Sequence, residues 1–554
     1  MNIPRSDPAS VRARLWLALI GLAGLVILVA APLPQVDADA ALYGRIAANI
    51  LTTGDWITFH YPGWFVDKPP VTFWLMAVSF RFLGVSDVAL RLWQLLMALA
   101  LIALTYRVAR AAGATREAGL LAALVLATAA QFFYQATVPQ QDLPLTFFLT
   151  LGMYGVFMYL DRGAARWILV AAVGAALAVL TSGIAGLGLF GVVFLAVLVA
   201  VRPAPPHAGQ ALLGRAALAA AIFAGLALPW FVVGALRQGD QFVTTFLTSG
   251  TLGVGRFFSP AISTPPPYWL AIFAYVPILL VGMLPWSPVL VVALADMRRQ
   301  FRDGSPGMRI VAVWFLAVFV TLSLSSGDKV FRYLLPCFPP AAILTGRAAA
   351  TLFDRSDRLR PVGWGALLPA LALIAAGFWY LWAQFPAERG PWVAVAGAFV
   401  AAMAAALAAF GLAALRARGP AAVALAAAGA VVALIVLEVA MLANAARIAP
   451  WREISTAAAP LTARSERLLL YGRAADGFNF VNFYLDEPLM RVAGVEQVAS
   501  LWRRERLLLV VPEERFEELS RSLDPSPVLL FVSPARMLLV ANWSDAGKPS
   551  SAAE

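Results

Sequence analysis

From Leu15 to about Leu442 the sequence returns repeatedly to apolar runs close to 20 residues long. At about 1.5 Å per helical residue, such a run matches the roughly 30 Å hydrocarbon core of a bilayer. The chain is 61% hydrophobic and only 13% charged, against about 45–50% and about 25% in soluble domains. A soluble enzyme, a disordered chain and a nucleic-acid binder are thereby excluded, and a polytopic helical membrane protein is expected. The net charge of +11 then reads as loop bias rather than a nucleic-acid footprint. The single cysteine, Cys337, excludes an internal disulfide, and no Cys/His cluster has the spacing of a metal cage. Arg5, Arg12 and Arg14 precede the first run, which leads into Pro32, Leu33 and Pro34 without a small-residue cleavage site. That pattern predicts a retained anchor.

Thirteen spans are expected, near 15–33, 88–106, 117–134, 143–160, 167–181, 184–201, 216–236, 268–295, 310–325, 333–350, 362–384, 391–413 and 420–445. The stretch 69–83 is ambiguous: it is short, carries Arg81 and starts with two prolines. Lysine and arginine favour the cytoplasmic side, which decides the matter. If 69–83 does not cross, one side holds more than twice as many basic residues as the other; if it crosses, the bias collapses. The expected topology has a cytoplasmic N-terminus and an exported C-terminus, with 69–83 lying at the outer interface. A long outer loop (34–87) and a moderate one (237–267) belong to a membrane domain over 1–446. Beyond it, residues 447–554 carry nearly balanced charge and short apolar runs at Leu468–Tyr471, Leu507–Val511, Val528–Val532 and Met537–Val540, with a helical pattern at Glu513–Ser522. These predict a soluble α/β domain on the exported face.

Transport needs ionisable groups at mid-membrane depth, and the central turns of these runs have almost none. Charge gathers instead in outer loops and at outer helix ends, at Asp37, Asp39, Asp55, Asp67, Lys68, Asp142, Arg256, Asp328, Lys329 and Arg332. Asp39, in V-D-A-D-A-A-L-Y, has two readings: an N-cap for the helix that follows, or a carboxylate held as base or orienter for an acceptor. Asp142, in P-Q-Q-D-L-P, has the same two readings. Asp55 in T-G-D-W reads as turn chemistry, and His60 as a loop residue. Lys68, pinned before Pro69-Pro70, suits an anionic headgroup, or else simply snorkels. Lys329, Arg332 and Tyr333, in D-K-V-F-R-Y-L-L-P, put cations and a hydroxyl at a helix entrance, where phosphate is attracted.

The order D-A-A-L-Y, T-G-D-W, F-V-D-K-P-P, a lone Asp142, L-P-W-S and K-V-F-R-Y-L-L-P-C-F-P-P resembles the bacterial branch of the protein-mannosyltransferase-like GT-C glycosyltransferases, from about Leu15 to Ala350. The resemblance implies an inner-membrane enzyme with its site on the periplasmic face and a polyprenyl (undecaprenyl) phosphate-linked sugar as donor. Its nearest branch moves 4-amino-4-deoxy-L-arabinose onto lipid A. By resemblance, Asp39 and Asp142 are the catalytic carboxylates. Lys68, Arg256, Lys329, Arg332 and Tyr333 surround the lipid phosphate, and Asp67, Asp55 and His60 are auxiliary. No cofactor is required, and the need for a divalent metal stays open. The partners implied are the donor, lipid A or another glycolipid acceptor, and membrane lipids. Two departures bear on substrate: Ser182 stands in L-T-S-G where many relatives have lysine, and 237–267 lacks the histidine common in their corresponding loop. The alternatives are another sugar or acceptor with the same chemistry, and a non-catalytic lipid-binding or translocating protein.

Overall fold

The structure, a computed structural model, describes residues 8–61, 64–65, 68–201, 210–244, 271–325, 329–352, 359–384, 390–462, 465, 467–487 and 489–543. Arg256, Asp67, Asp328 and most of the 237–267 loop lie outside the described residues. Among the described residues, seven helices are long and apolar enough to cross a membrane. The count is eight if Arg116–Thr128 and Ala130–Thr137, bent by 61° at Ala129, form one span. The chain is thus a multi-pass membrane protein.

Local chemistry sets the helix starts. Ser86 accepts from Ala89 N at 3.3 Å, Thr115 from Ala118 N at 3.2 Å and Ser305 from Met308 N at 3.3 Å, each satisfying a free backbone donor. Close helix contact needs small residues, since no hydrophobic force drives helices together in lipid. At Gly346 a Cβ would lie 2.4 Å from Ala122 N, so the Phe338–Thr351 and Arg116–Thr128 helices touch backbone to backbone. The bend after Thr128 is held by a second irregular segment. Ala130 N donates to Leu284 O (3.1 Å) and Trp286 Nε1 to Thr128 Oγ1 (2.8 Å), so backbone and hydroxyl groups freed at the break are bonded within the protein.

Loops meet at two opposite ends of the bundle. At one end Arg12 Nε pairs with Glu117 Oε1 (2.7 Å), Ser305 Oγ donates to Ala112 O (3.1 Å) and Arg215 donates to Gly163 O (3.0 Å). At the other end Arg237 pairs with Asp55 (3.0 Å), and the buried Arg91 donates to Thr137 O (2.9 Å), Pro34 O (3.2 Å) and Leu33 O. The 69–83 stretch forms a 13-residue helix, Val71–Leu83, below the length of the spanning set.

Past the Gly419–Ile448 helix lies a five-stranded mixed sheet whose strands lie side by side in the order 489–492, 467–471, 507–512, 537–541 and 528–532. Its strands are β3 (Arg467–Tyr471), β4 (Leu489–Val492), β5 (Leu507–Pro512), β6 (Val528–Val532) and β7 (Met537–Ala541); β1 (Phe59–His60) and β2 (Trp64–Phe65) form a small hairpin elsewhere. β3 runs parallel to β4 and β5, while β7 is antiparallel to β5 and β6. β5 is buried along its whole length, as a central strand should be. The Phe478–Tyr484 helix docks this unit on the Ala38–Thr53 helix. A Cβ on Gly44 would come within 2.6 Å of the Phe483 ring, Arg45 pairs with Asp486, and Asn479 bridges Ala38 O (3.2 Å) and the Tyr61 hydroxyl (2.7 Å).

Candidate active site

The Ala38–Thr53 helix carries two aspartates at its start, and the structure gives them different work. Asp37, not Asp39, is the N-cap: its Oδ1 accepts from Ala40 N at 2.9 Å. Asp39 sits in the first turn, free of capping, and its Oδ2 accepts from Arg332 at 3.1 Å. The guanidinium of Arg332 also lies 3.7 Å from Asp142 Oδ2 and 5.6 Å from the Tyr333 ring. One arginine therefore stands between two carboxylates from segments far apart in the chain. The Asp39 side chain is 43% exposed, that of Arg332 24% and that of Asp142 14%, so the opening lies on the Asp39 side. Burial alone would lower the guanidinium's pKa, but Asp142, Tyr333 and Asp39 outweigh it and hold it above its ordinary value. Arg332 is a permanent cation.

The arginine is held from behind. Gln131 Nε2 donates to Phe331 O (2.6 Å) and Gln135 Nε2 to Arg332 O (3.0 Å), and the two glutamines bond each other at 3.2 Å. Tyr134, on the same short helix, packs edge-on against Phe331 at 5.4 Å. Gln131 and Gln135, both buried, fix the backbone of the 331–332 turn without touching its charge. Sequence reasoning passed over them, although glutamines spaced i, i+4 in an apolar segment must find partners once buried. Gln141, next to Asp142, is buried with its Nε2 lacking an acceptor among the described residues. That amide is a donor available to a ligand.

The remaining residues separate by placement. Lys68 is half-buried, and its charge acts on Asp142. Tyr333 is half-buried beside Arg332. Lys329 is turned elsewhere: its Nζ donates to Leu322 O (2.8 Å), Ser323 O (2.9 Å) and Ser325 O, and sits 5.5 Å over the Tyr275 ring. It caps the C-terminal end of the Pro306–Leu324 helix, where cations complement the dipole. Burial pushes its ammonium down to about 8, so it is mostly protonated near neutral pH. Asp55 closes an Asx turn, accepting from Ile57 N (2.9 Å) and Thr58 N (3.0 Å) while pairing with Arg237. His60 lies in the β1–β2 hairpin, its carbonyl bonded by Asn49 Nδ2 at 2.8 Å. Among the described residues no three His, Cys, Asp or Glu side chains gather as a metal cage needs.

One arginine charge shared by two carboxylates leaves a negative balance, so an anion enters only by taking Arg332 from one of them, with the Lys68 charge also acting there. A phosphate would compete for Arg332 with charge-assisted bonds, and Asp39, the more exposed partner, is the carboxylate it would release. The arrangement thus suits a phosphate leaving group on one side and an acceptor met by a carboxylate on the other.

Comparisons with known proteins agree with the family resemblance. The family described as dolichyl-phosphate-mannose-protein mannosyltransferase matches residues 33–240. A Pseudomonas paraeruginosa protein named undecaprenyl phosphate-alpha-4-amino-4-deoxy-L-arabinose arabinosyl transferase is 29% identical over 379 residues, 66% of this chain and 65% of that protein. A Pseudomonas aeruginosa protein of the same name is 28% identical over the same shares. The match therefore spans a little under two thirds of these curated relatives. The crystal structure of ArnT from Cupriavidus metallidurans bound to undecaprenyl phosphate is similar with a TM-score of 0.75 at 22% identity, over 96% of this chain and 99% of that one. Its apo state gives 0.72 at 21% identity over the same shares. The fold is that of these two solved structures, a helical bundle followed in this chain by an α/β unit.

Proposed function

We propose that this chain is an inner-membrane glycosyltransferase that moves 4-amino-4-deoxy-L-arabinose from undecaprenyl phosphate to a lipid A phosphate on the periplasmic face. The observation that carries the reading is Arg332 standing between Asp39 and Asp142. In the reaction an acceptor oxygen attacks the sugar's anomeric carbon, and the bond from that carbon to the phosphate oxygen breaks with its electrons going to the phosphate. Charge develops on the leaving phosphate, so fixed cations there lower the barrier. Arg332, Lys68 and Arg256 supply them, with the Tyr333 hydroxyl as a hydrogen-bond donor. Asp39 receives the acceptor: it takes the proton of a hydroxyl acceptor, whereas for an already ionised lipid A phosphate it orients the acceptor or engages the sugar's amine. Asp142 holds Arg332 in place. Lys329 works one step back, fixing the helix end before the 331–333 turn, Asp55 and His60 shape the outer loop, and Asp67 is auxiliary.

The accompanying topology has thirteen spans, a cytoplasmic N-terminus and the 447–554 domain in the periplasm, with Val71–Leu83 lying along the outer interface. Contacts such as Arg45–Asp486 support it, since they put the C-terminal unit at the end of the bundle that carries Asp39. Alkaline-phosphatase fusions after Asn444 should be active; inactive fusions there, with active ones in the 297–308 loop, would reverse the orientation. A second reading keeps the chemistry and changes the substrates, to another sugar or to a glycolipid, polysaccharide or protein acceptor. Ser182 and the histidine-free 237–267 loop favour it. Mass spectrometry of lipid A and polyprenyl-phosphate sugars from cells with and without the gene separates the two. Loss of aminoarabinose from lipid A on deletion supports the first reading. Unchanged lipid A with an accumulating polyprenyl-phosphate sugar supports the second, and no change in either refutes both.

A further inference from the structure

Among the described residues, a groove of about 1180 Å³ opens between the Pro8–Val29, Asp87–Ala111, Arg116–Thr128 and Asp142–Arg162 helices. Its basic rim lies at the end of the bundle away from Asp39, and its apolar wall runs from there to Leu28, next to the other end of the first helix at Val29. Arg107, on its rim, is 20 residues beyond Asp87 on one helix, about 30 Å at ~1.5 Å per residue. A donor lipid whose phosphate sits at Arg332 therefore leaves this rim free. The groove has two chemical halves. One wall is apolar and open to the bilayer, with Leu17, Leu25 and Leu28 each more than a third exposed. From Leu17 to Leu28 the wall runs about 16 Å along the first helix, a length comparable to one leaflet's share of a roughly 30 Å hydrocarbon core.

The other half is basic. Arg107, Arg110, Arg116 and Arg162 line the groove, with Asp161 as the one acid. Asp161 lies 3.7 Å from Arg162 and offsets it, and nearby Glu117 is taken up by Arg12. Arg107, Arg110 and Arg116 remain as an exposed positive excess at the mouth. Gly21 and Gly24 keep the apolar wall low, and a side chain at Gly21 would meet nothing within 4 Å. An acyl-sized apolar wall that ends in a cationic rim is complementary to a single occupant.

We propose that this groove is a binding site for an anionic diacyl phospholipid of the leaflet opposite the sugar-transfer site, its headgroup phosphate on Arg107, Arg110 and Arg116 and an acyl chain against Gly21 and Gly24. Such a lipid fixes the first span against the second and third, and hence the start of the outer loop that carries Asp39. General attraction of basic loops to anionic membranes needs only the arginines, whereas a seated lipid needs the groove as well. Two variants tell them apart. Arg107→Gln/Arg110→Gln/Arg116→Gln removes the rim, and Gly21→Phe fills the groove without altering charge.

The full-length protein, purified in detergent, is titrated by native mass spectrometry with palmitoyl-oleoyl phosphatidylglycerol and with phosphatidylcholine of the same chains. Unfolding temperature confirms that each variant is folded. The wild type should retain phosphatidylglycerol over phosphatidylcholine. The triple variant should lose that preference by roughly 100-fold, at about fivefold per arginine, and Gly21→Phe should lose at least tenfold while keeping its rim charge. Equal binding of the two lipids would overturn the proposal. So would a folded Gly21→Phe protein that binds phosphatidylglycerol as the wild type does, because the lipid would then be held by surface charge alone.

Discussion

Asparagine at position 39 asks the structure one narrow question. Asp39→Asn changes no volume and leaves the helix cap in place, because the cap is Asp37, bonded to Ala40 N at 2.9 Å. What it removes is one charge, 3.1 Å from Arg332 in a pair whose side chains are 43% and 24% exposed. A pair so accessible to water contributes about 0.2–1 kcal/mol to stability. If that carboxylate also deprotonates or orients the acceptor, its loss slows the reaction by about 10²–10⁴, which is about 3–5 kcal/mol in the barrier. The activity effect should therefore exceed the stability effect several-fold. The assay is release of undecaprenyl phosphate from its aminoarabinose donor by purified protein, run beside thermal unfolding in the same detergent. Asp37→Ala is the opposite control: it removes a cap worth about 0.5–2 kcal/mol and should lower the unfolding temperature more than Asp39→Asn does. An Asp39→Asn enzyme within tenfold of wild type would refute the reasoning and move the acceptor role to Asp142.

Arg332→Gln leaves Asp39 and Asp142 facing each other without their shared cation; kcat/KM for the donor should fall at least ~10-fold, each charge-assisted bond being worth about 1.5–3 kcal/mol. Unchanged donor turnover would make the arginine purely structural. Lys329→Met removes the donor to three carbonyls at the end of the Pro306–Leu324 helix, and should destabilise the protein by about 1–3 kcal/mol with little change in donor KM. A raised KM at unchanged stability would return Lys329 to the phosphate. Gly44→Val drives a side chain into the Phe483 ring and should cost about 1–3 kcal/mol of overpacking, read as faster hydrogen exchange in 38–53 and 478–484. Unaltered exchange there would mean that the C-terminal unit does not brace the Ala38–Thr53 helix.

The multi-pass membrane character is legible because burial in lipid writes itself into long apolar runs, and the sheet is legible for the same reason on a shorter scale. The runs at Leu468–Tyr471, Leu507–Val511, Val528–Val532 and Met537–Val540 fall on β3, β5, β6 and β7. β4 was missed, since as an edge strand with Arg491 exposed it carries no continuous apolar run. The breaks at Ala129 and Leu284-Pro285-Trp286 were also invisible, because hydropathy counts residues and does not register a bend whose free groups are bonded across to another segment. Asp37 and Asp39 could not be told apart by pattern, as either satisfies an N-cap rule; the backbone geometry separates them. Lys329 and Arg332 looked alike in D-K-V-F-R-Y, yet the 3₁₀ turn that starts at Phe331 sends one to carbonyls and the other to carboxylates. Arg91 looks in the sequence like any charge at a loop end, yet its contacts with the 31–34 segment fix the chain just ahead of Asp37.

The central claim, that Asp39, Asp142 and Arg332 form a sugar-transfer site, is tested most directly by reconstituting the purified full-length protein in liposomes with undecaprenyl-phosphate-linked aminoarabinose and lipid A. The products are then followed by mass spectrometry. The account predicts that lipid A gains one aminoarabinose for each undecaprenyl phosphate released, and that Asp39→Asn abolishes both together. Donor that stays intact with wild-type protein, or sugar transfer that survives in Asp39→Asn at the wild-type rate, would contradict it.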